Sequence, residues 1–170
     1  NNDTARRAQT NFWLADANGG LQFFLGTTDT ASQPPFAVRV GQVVSVRVTS
    51  VGVYQGMAQV RAAADWALES EGNEVFIREV GAARPLAAAD AMTVVRATGT
   101  VVSLDNPECG GSNKCFSLDY GAEAPVTLRT SSRFVEVGQC VTFVGPVTLF
   151  ANTPQLDTVN FDWLRTYRAE

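Results

Sequence analysis

An internal repeat is the feature that most constrains what this chain can fold into. Phe36-Ala37-Val38-Arg39-Val40-Gly41-Gln42-Val43-Val44 aligns with Phe134-Val135-Glu136-Val137-Gly138-Gln139-Cys140-Val141, with Val-Gly-Gln in register at an offset of 97. Downstream, Gln59-Val60 faces Gln155-Leu156 after one residue of slippage, and Asp65-Trp66 faces Asp162-Trp163 back at the offset of 97. Upstream, Phe12-Trp13-Leu14-Ala15-Asp16 faces Cys115-Phe116-Ser117-Leu118-Asp119. Repetition on this scale means two copies of one supersecondary unit, and 170 residues hold two small domains of that size. We place them at residues 1–84 and 85–170, joined near residues 70–92.

Within each copy the hydrophobic period is two. Val44, Val46 and Val48 alternate with Ser45, Arg47 and Thr49, as in a half-buried strand, and Val159, Phe161 and Trp163 alternate in the same way with Thr158, Asn160 and Asp162. Further strand-like runs are Asn11 to Ala15, Leu21 to Leu25, Gln59 to Trp66, Glu74 to Val80, Met92 to Leu104, Cys115 to Asp119 and Pro125 to Arg129, separated by Gly, Asn and Pro turns. Only Pro85 to Met92 reads as a helix, and it is short. The expected class is all-β.

Each unit runs as an apolar strand ending in Asp, a turn, a second strand, a loop, Val-Gly-Gln, a long bending strand, a turn and a final strand. With Gly99 inside the preceding strand, this order resembles the five-stranded Greek-key barrel of the OB-fold, where a mid-strand glycine permits the coil that closes a small barrel. More narrowly, Phe12-Trp13-Leu14-Ala15-Asp16, Gly19-Gly20, Val40-Gly41-Gln42-Val43-Val44 and Tyr54-Gln55-Gly56-Met57-Ala58-Gln59-Val60 are similar to the OB-type accessory domains of secreted bacterial nucleases and phosphoesterases. The resemblance implies two tandem OB-like barrels with one short helix in the linker. Here Gln42 and Gln139 replace the Asp usual in that family, and Phe150-Ala151-Asn152-Thr153-Pro154 replaces the Tyr-x-Gly turn.

Composition narrows the chemistry. The sequence has no His, which excludes a His general base, a Ser-His-Asp or Cys-His arrangement and His metal ligands from this chain acting alone. A net charge of −4 argues against a chain whose main task is gripping phosphate backbones. No run of about 18 apolar residues that would span a membrane occurs, and the polar start Asn1-Asn2-Asp3-Thr4 suits a mature or trimmed N-terminus. Asp16, Asp65, Asp119 and Asp162 recur with the repeat, so their simplest role is structural. No metal or other cofactor is expected.

Cys109 and Cys115 bracket Gly110-Gly111-Ser112-Asn113-Lys114, a flexible loop that closes readily into a disulfide ring and would point to an extracytoplasmic compartment, the alternatives being free thiols in a cytosolic loop or a pairing that uses Cys140. Cys140 sits in a strand-like run, where a lone thiol behaves as a small hydrophobe. Outward aromatics and cations of the first copy supply candidate ligand contacts, and from these we select Trp13, Phe23, Arg47 and Tyr54. Trp66 and Trp163 are expected to plug equivalent cores. The functional expectation is a non-catalytic, extracytoplasmic binding or assembly protein whose partner is another protein or a second copy. The alternative is a nucleic-acid- or oligosaccharide-binding module of a secreted enzyme.

The first copy also lacks a counterpart of the long strand Thr93 to Leu104, because Asp3 to Thr10 is too polar and too short to repeat it. Two fillers present themselves: the chain's own Glu74 to Val80 swinging back, favoured by its higher effective concentration, or a strand added from another chain or from residues upstream of Asn1.

Overall fold

The computed structural model describes residues 10–16, 18–26, 28–158 and 164–167. The chain divides into two compact units, Asn1–Phe76 and Ile77–Glu170, so the boundary falls before the 84/85 junction read from the sequence. Strands dominate both units, and the segment read as a helix over Pro85 to Met92 contains only a single 3-10 turn, Ala88–Asp90.

Unit 1 is a four-stranded sheet of β1 (Asn11–Ala15), β2 (Gly20–Phe24), β3 (Val43–Tyr54) and β4 (Met57–Ser70), in the order β1-β2-β4-β3. The β2–β4 contact is parallel and the other two are antiparallel. Between β1 and β2 the Asp16 carboxylate accepts from the backbone N–H groups of Asn18 (2.7 Å) and Gly19 (3.0 Å), which satisfies the turn locally. Between β3 and β4, Gln55 and Gly56 both take positive φ (52° and 90°), the signature of a two-residue type I′ hairpin. One face of the sheet carries the core, in which Phe12, Phe23, Leu25, Val60 and Ala63 are buried and Leu14, Val38, Val46 and Trp66 pack against them.

Unit 2 contains β5 (Arg78–Val80), β6 (Val94–Asn106), β7 (Lys114–Asp119), β8 (Val126–Thr130), β9 (Cys140–Phe150), β10 (Thr153–Asp157) and β11 (Leu164–Tyr167). Its sheet runs β11-β9-β10-β8-β7-β6-β5, and β9 also pairs with β6. The pairings β6-β7-β8-β10-β9 therefore return to β6 as a ring, with one parallel contact, β8–β10. The ring encloses a larger core that includes Val95, Ala97, Val101, Phe116, Leu118, Leu128, Val141, Phe143, Val147 and Leu156. Gly99 is required where β6 passes β7, since a Cβ there would lie 2.1 Å from the Asp119 carbonyl oxygen.

The repeat is visible in the register of both units. Val60 of β4 pairs with Phe23 and Val51, as Leu156 of β10 pairs with Leu128 and Val147. Phe12 opposes Phe23 as Phe116 opposes Leu128, which shifts the upstream alignment by one residue: Phe12 corresponds to Phe116 rather than to Cys115. The Val-Gly-Gln segments form the same turn twice. Gly41 and Gly138 have φ of 86° and 88°, Gln42 N–H donates to the Arg39 carbonyl and Gln139 N–H to that of Glu136, both at 3.2 Å. Each Gln side-chain oxygen accepts from the backbone N–H three residues back, Arg39 (2.7 Å) or Glu136 (2.9 Å). Gln therefore does here what a capping Asp would do, with a longer reach. Ala151 and Asn152, both at positive φ, replace Gln55-Gly56 in the second hairpin without changing its length.

The expectation that Glu74 to Val80 fills the gap in the first copy is overturned. Only Arg78–Val80 forms a strand, and it pairs parallel with Val95–Ala97 in unit 2. Ion pairs hold it there: Arg78 reaches the buried Asp90 carboxylate at 3.1 Å, which Arg84 also meets at 2.9 Å, and Glu79 pairs with Arg96 at 2.5 Å. These short-range partners lie only a connection away in sequence, so the loop to be closed is small and the nearer edge wins. The strand expected at Val159 to Trp163, including Trp163, lies outside the described residues.

Candidate functional site

Alternation along the unit 1 strands sorts its side chains onto two faces. Phe12, Phe23 and Val60 lie on the core face. The opposite face carries Asn11 and Trp13 from β1, Gln22 and Phe24 from β2, Gln59 and Arg61 from β4, and Tyr54 from the end of β3, as their cross-strand pairing requires. Across its middle, Gln59 Nε2 donates to Gln22 Oε1 (2.6 Å) and Gln22 Nε2 donates to Asn11 Oδ1 (3.1 Å). Gln22 and Gln59 of this row are buried while Asn11 is exposed, yet Gln59 Oε1 and Trp13 Nε1 have no hydrogen-bond partner among the described residues. Beside the row the Arg61 guanidinium stands 5.2 Å from the centre of the Phe24 ring, a cation–π geometry. Gly52 leaves space for it, since a Cβ there would approach Arg61 Nε to 3.0 Å.

Of the residues singled out from the sequence, Trp13 and Tyr54 are brought to this face and Phe23 is not. Phe23 is 1% exposed, stacks on Phe12 at 5.1 Å between ring centres and meets Trp66 at 5.3 Å, so it belongs to the core and Phe24 is the outward member of the pair. Trp66 packs on that core as expected, its indole N–H donating to the Ser32 carbonyl at 3.1 Å. Arg47 stands apart, paired with Asp65 at 2.6 Å; that carboxylate raises the Arg47 pKa further above its ordinary value. Gln22 and Gln59 were missed because their contact exists only through the parallel β2–β4 pairing.

A second feature of unit 1 is its edges. In unit 2, β6 lies between β7 and β9; among the described residues no strand lies along the corresponding outer edges of β1 and β3. Inward positions of β3 are accordingly open. Val51 and Val53 are 68% and 76% exposed, whereas their counterparts Val147 and Leu149 in β9 are 0% and 6% exposed. Val44 and Val46 are half-buried where Val141 and Phe143 are buried.

In unit 2 the Cys109 and Cys115 sulfurs lie at disulfide distance, with Cα atoms 5.6 Å apart. Arg129 holds the loop, donating to the carbonyls of Cys109 (3.1 Å) and Gly110 (3.2 Å) and pairing with Asp157 at 2.9 Å. Burial pushes the Asp157 carboxyl up, and Arg129 offsets only part of that rise. Cys140 is a free, half-buried thiol in β9. Among the described residues no group of three or more His, Cys, Asp or Glu side chains converges as a metal site would, and no helix is long and apolar enough to cross a membrane. No known protein family matches the chain, and neither curated proteins nor solved structures provide a match.

Proposed function

We propose that this chain is a non-catalytic binding or assembly protein of two OB-like units, working outside the cytoplasm, whose first unit is the contact surface. The observation that carries this reading is the exposure of Val51 and Val53 at positions whose counterparts in unit 2, Val147 and Leu149, are buried. Contiguous apolar surface of this kind marks interaction sites. The five-stranded ring with its single parallel contact supports the OB-like description of unit 2, and the Cys109–Cys115 proximity supports an oxidising compartment. A photo-crosslinking residue at position 53, in protein made by the cells that normally produce it, should yield a discrete adduct that the same residue at exposed position 123 does not. Equal labelling at both positions, or none at 53, removes the reading.

A second reading, an oligosaccharide-binding module, is favoured by the face that carries Trp13, Phe24, Arg61 and the amide row, because aromatic platforms flanked by amides and a cation suit sugar rings. Trp13→Ala should then abolish retention on a polysaccharide column that retains the unaltered chain. Nucleic acid is less well served, since Arg61 faces Phe24 and Arg47 already pairs with Asp65.

A further inference from the structure

The closed unit specifies what would complete the open one. In unit 2, β6 runs antiparallel to both β7 and β9, from Val94 opposite Pro146 to Thr100 opposite Cys140 on β9. It places Val95, Ala97 and Val101 into the core while Arg96, Thr98 and Thr100 face outward. It is also stitched to the Val-Gly-Gln turn: Gly138 N–H donates to the Val101 carbonyl (2.7 Å) and Val101 N–H donates to the Gln139 carbonyl (2.9 Å). At its start, Met92 N–H donates to the Val147 carbonyl (2.7 Å) and Val147 N–H donates to that of Thr93 (3.0 Å).

Unit 1 keeps every acceptor element of this arrangement. The Gly41-Gln42 turn has the same conformation as Gly138-Gln139, β3 runs as β9 does, and Val44, Val46 and Val51 stand where Val141, Phe143 and Val147 receive β6. One position differs in charge: Arg47 replaces Val144, which lies opposite Arg96.

We propose that the gap between β1 and β3 is an acceptor site for an extended segment of a partner polypeptide, completing unit 1 by strand addition. This rests on the binding reading above and names the partner's chemistry. The segment alternates aliphatic with polar residues, has glycine where it passes the end of β1, pairs antiparallel with β3, and carries a neutral or acidic residue opposite Arg47. Its backbone offers a carbonyl to Gly41 N–H and an N–H to the Gln42 carbonyl.

The probe is a synthetic peptide of residues Met92 to Leu104, the segment that already fills the equivalent slot, added to the whole 170-residue chain. Bound peptide should slow hydrogen exchange at Val43–Thr49 and Asn11–Ala15 by about ten-fold or more, leaving unit 2 unchanged. An Arg96→Glu peptide should bind about three-fold more tightly, since it replaces like charges across the pair by opposite ones. A Val95→Asp peptide, altered on the inward side, should lose binding, whereas a Thr98→Lys peptide should retain it. No protection at β3 by either the parent or the Arg96→Glu peptide overturns the proposal, as does protection that ignores the inward substitution. Protection of Val43–Thr49 that grows with protein concentration in the absence of peptide also overturns it, because a second copy is then the occupant. An adduct at position 53 without peptide binding would leave the binding reading standing and remove strand addition alone.

Discussion

Among the described residues, two units built from one repeated pattern reach different degrees of closure, and the difference rests on a single strand. In unit 2, β6 joins β7 to β9 and the inward side chains of β9 vanish from solvent; in unit 1 the corresponding side chains of β3 remain half-buried or exposed. The turn, the hairpin length and the parallel contact are shared. Local sequence therefore builds the scaffold in both units, while core completion depends on a strand that the described residues supply only once. Burial converts to stability at about 25 cal/mol per Å² of apolar surface removed from water, so the second unit gains more from the same framework.

The largest test of that comparison concerns equivalent core positions. Phe143→Ala should destabilise unit 2 by about 4 kcal/mol, whereas Val46→Ala should cost unit 1 about 1 kcal/mol because its methyl groups are only partly removed from water. Chemical denaturation followed by unit-resolved hydrogen exchange measures both. A cost above about 2 kcal/mol for Val46→Ala would mean that unit 1 is closed in solution.

Glycine substitutions come next. Gly99→Ala forces a Cβ against the Asp119 backbone and should cost unit 2 about 3 kcal/mol. Gly52→Ala meets only the flexible Arg61 side chain and should cost under about 1 kcal/mol. Thermal unfolding of the two variants should rank them in that order.

Arg129→Ala removes two loop contacts and leaves Asp157 without its cation, for an expected loss of about 2 kcal/mol in unit 2. One carboxylate in each unit should also contribute to the pH dependence with opposite sign. Asp157 has a folded pKa raised above the usual 3.8, so its favourable contribution is complete below that value and fades as pH rises through the folded pKa. Asp16 has a folded pKa lowered by the Asn18 and Gly19 N–H groups, so its contribution is present above 3.8 and is lost as pH falls through the depressed value. Stability differences for Asp157→Asn and Asp16→Asn, followed from acid to neutral pH, should therefore slope in opposite directions, and parallel slopes would contradict these assignments.

The smallest effects concern the hairpins. Ala151→Gly should stabilise unit 2 by about 1 kcal/mol by relieving a side chain held at positive φ, and Gly56→Ala should destabilise unit 1 by a similar amount. Urea midpoints of the pair decide it.

Much of this fold was legible because its determinants are local. Alternating valines marked β3, Asp16 with Asn18 and Gly19 marked a turn, the Val-Gly-Gln repeat marked two copies, and Gly99 marked a coil within a long strand. The destination of Glu79 and its neighbours was not legible, since the attraction of Asp90 for Arg78 and of Arg96 for Glu79 exists only once the connection has folded. The candidate face was partly legible. Trp13 and Tyr54 were among the selected aromatics, but alternation alone could not say which of Phe12 and Trp13, or of Phe23 and Phe24, faces out, and the Gln22–Gln59 contact joins strands distant in sequence. The one-residue slip of Phe12 against Phe116 arose because an Asp-to-Asp alignment ignored the shorter β1–β2 turn.

The Gly41-Gln42 and Gly138-Gln139 turns have a consequence for the order in which the chain folds. Each is closed by contacts spanning three residues, and loops that short close in well under a microsecond. The parallel contacts, such as Gln22 with Gln59, join distant positions and must await a large loop closure, which makes them slow by topology. Both units thus begin from a prefabricated corner at the entrance to their longest strand and finish on a non-local pairing. Under strand addition the last act of unit 1 is different in kind: with β3 already docked on β4, completion of its outer edge would be an encounter whose rate follows the concentration of the partner.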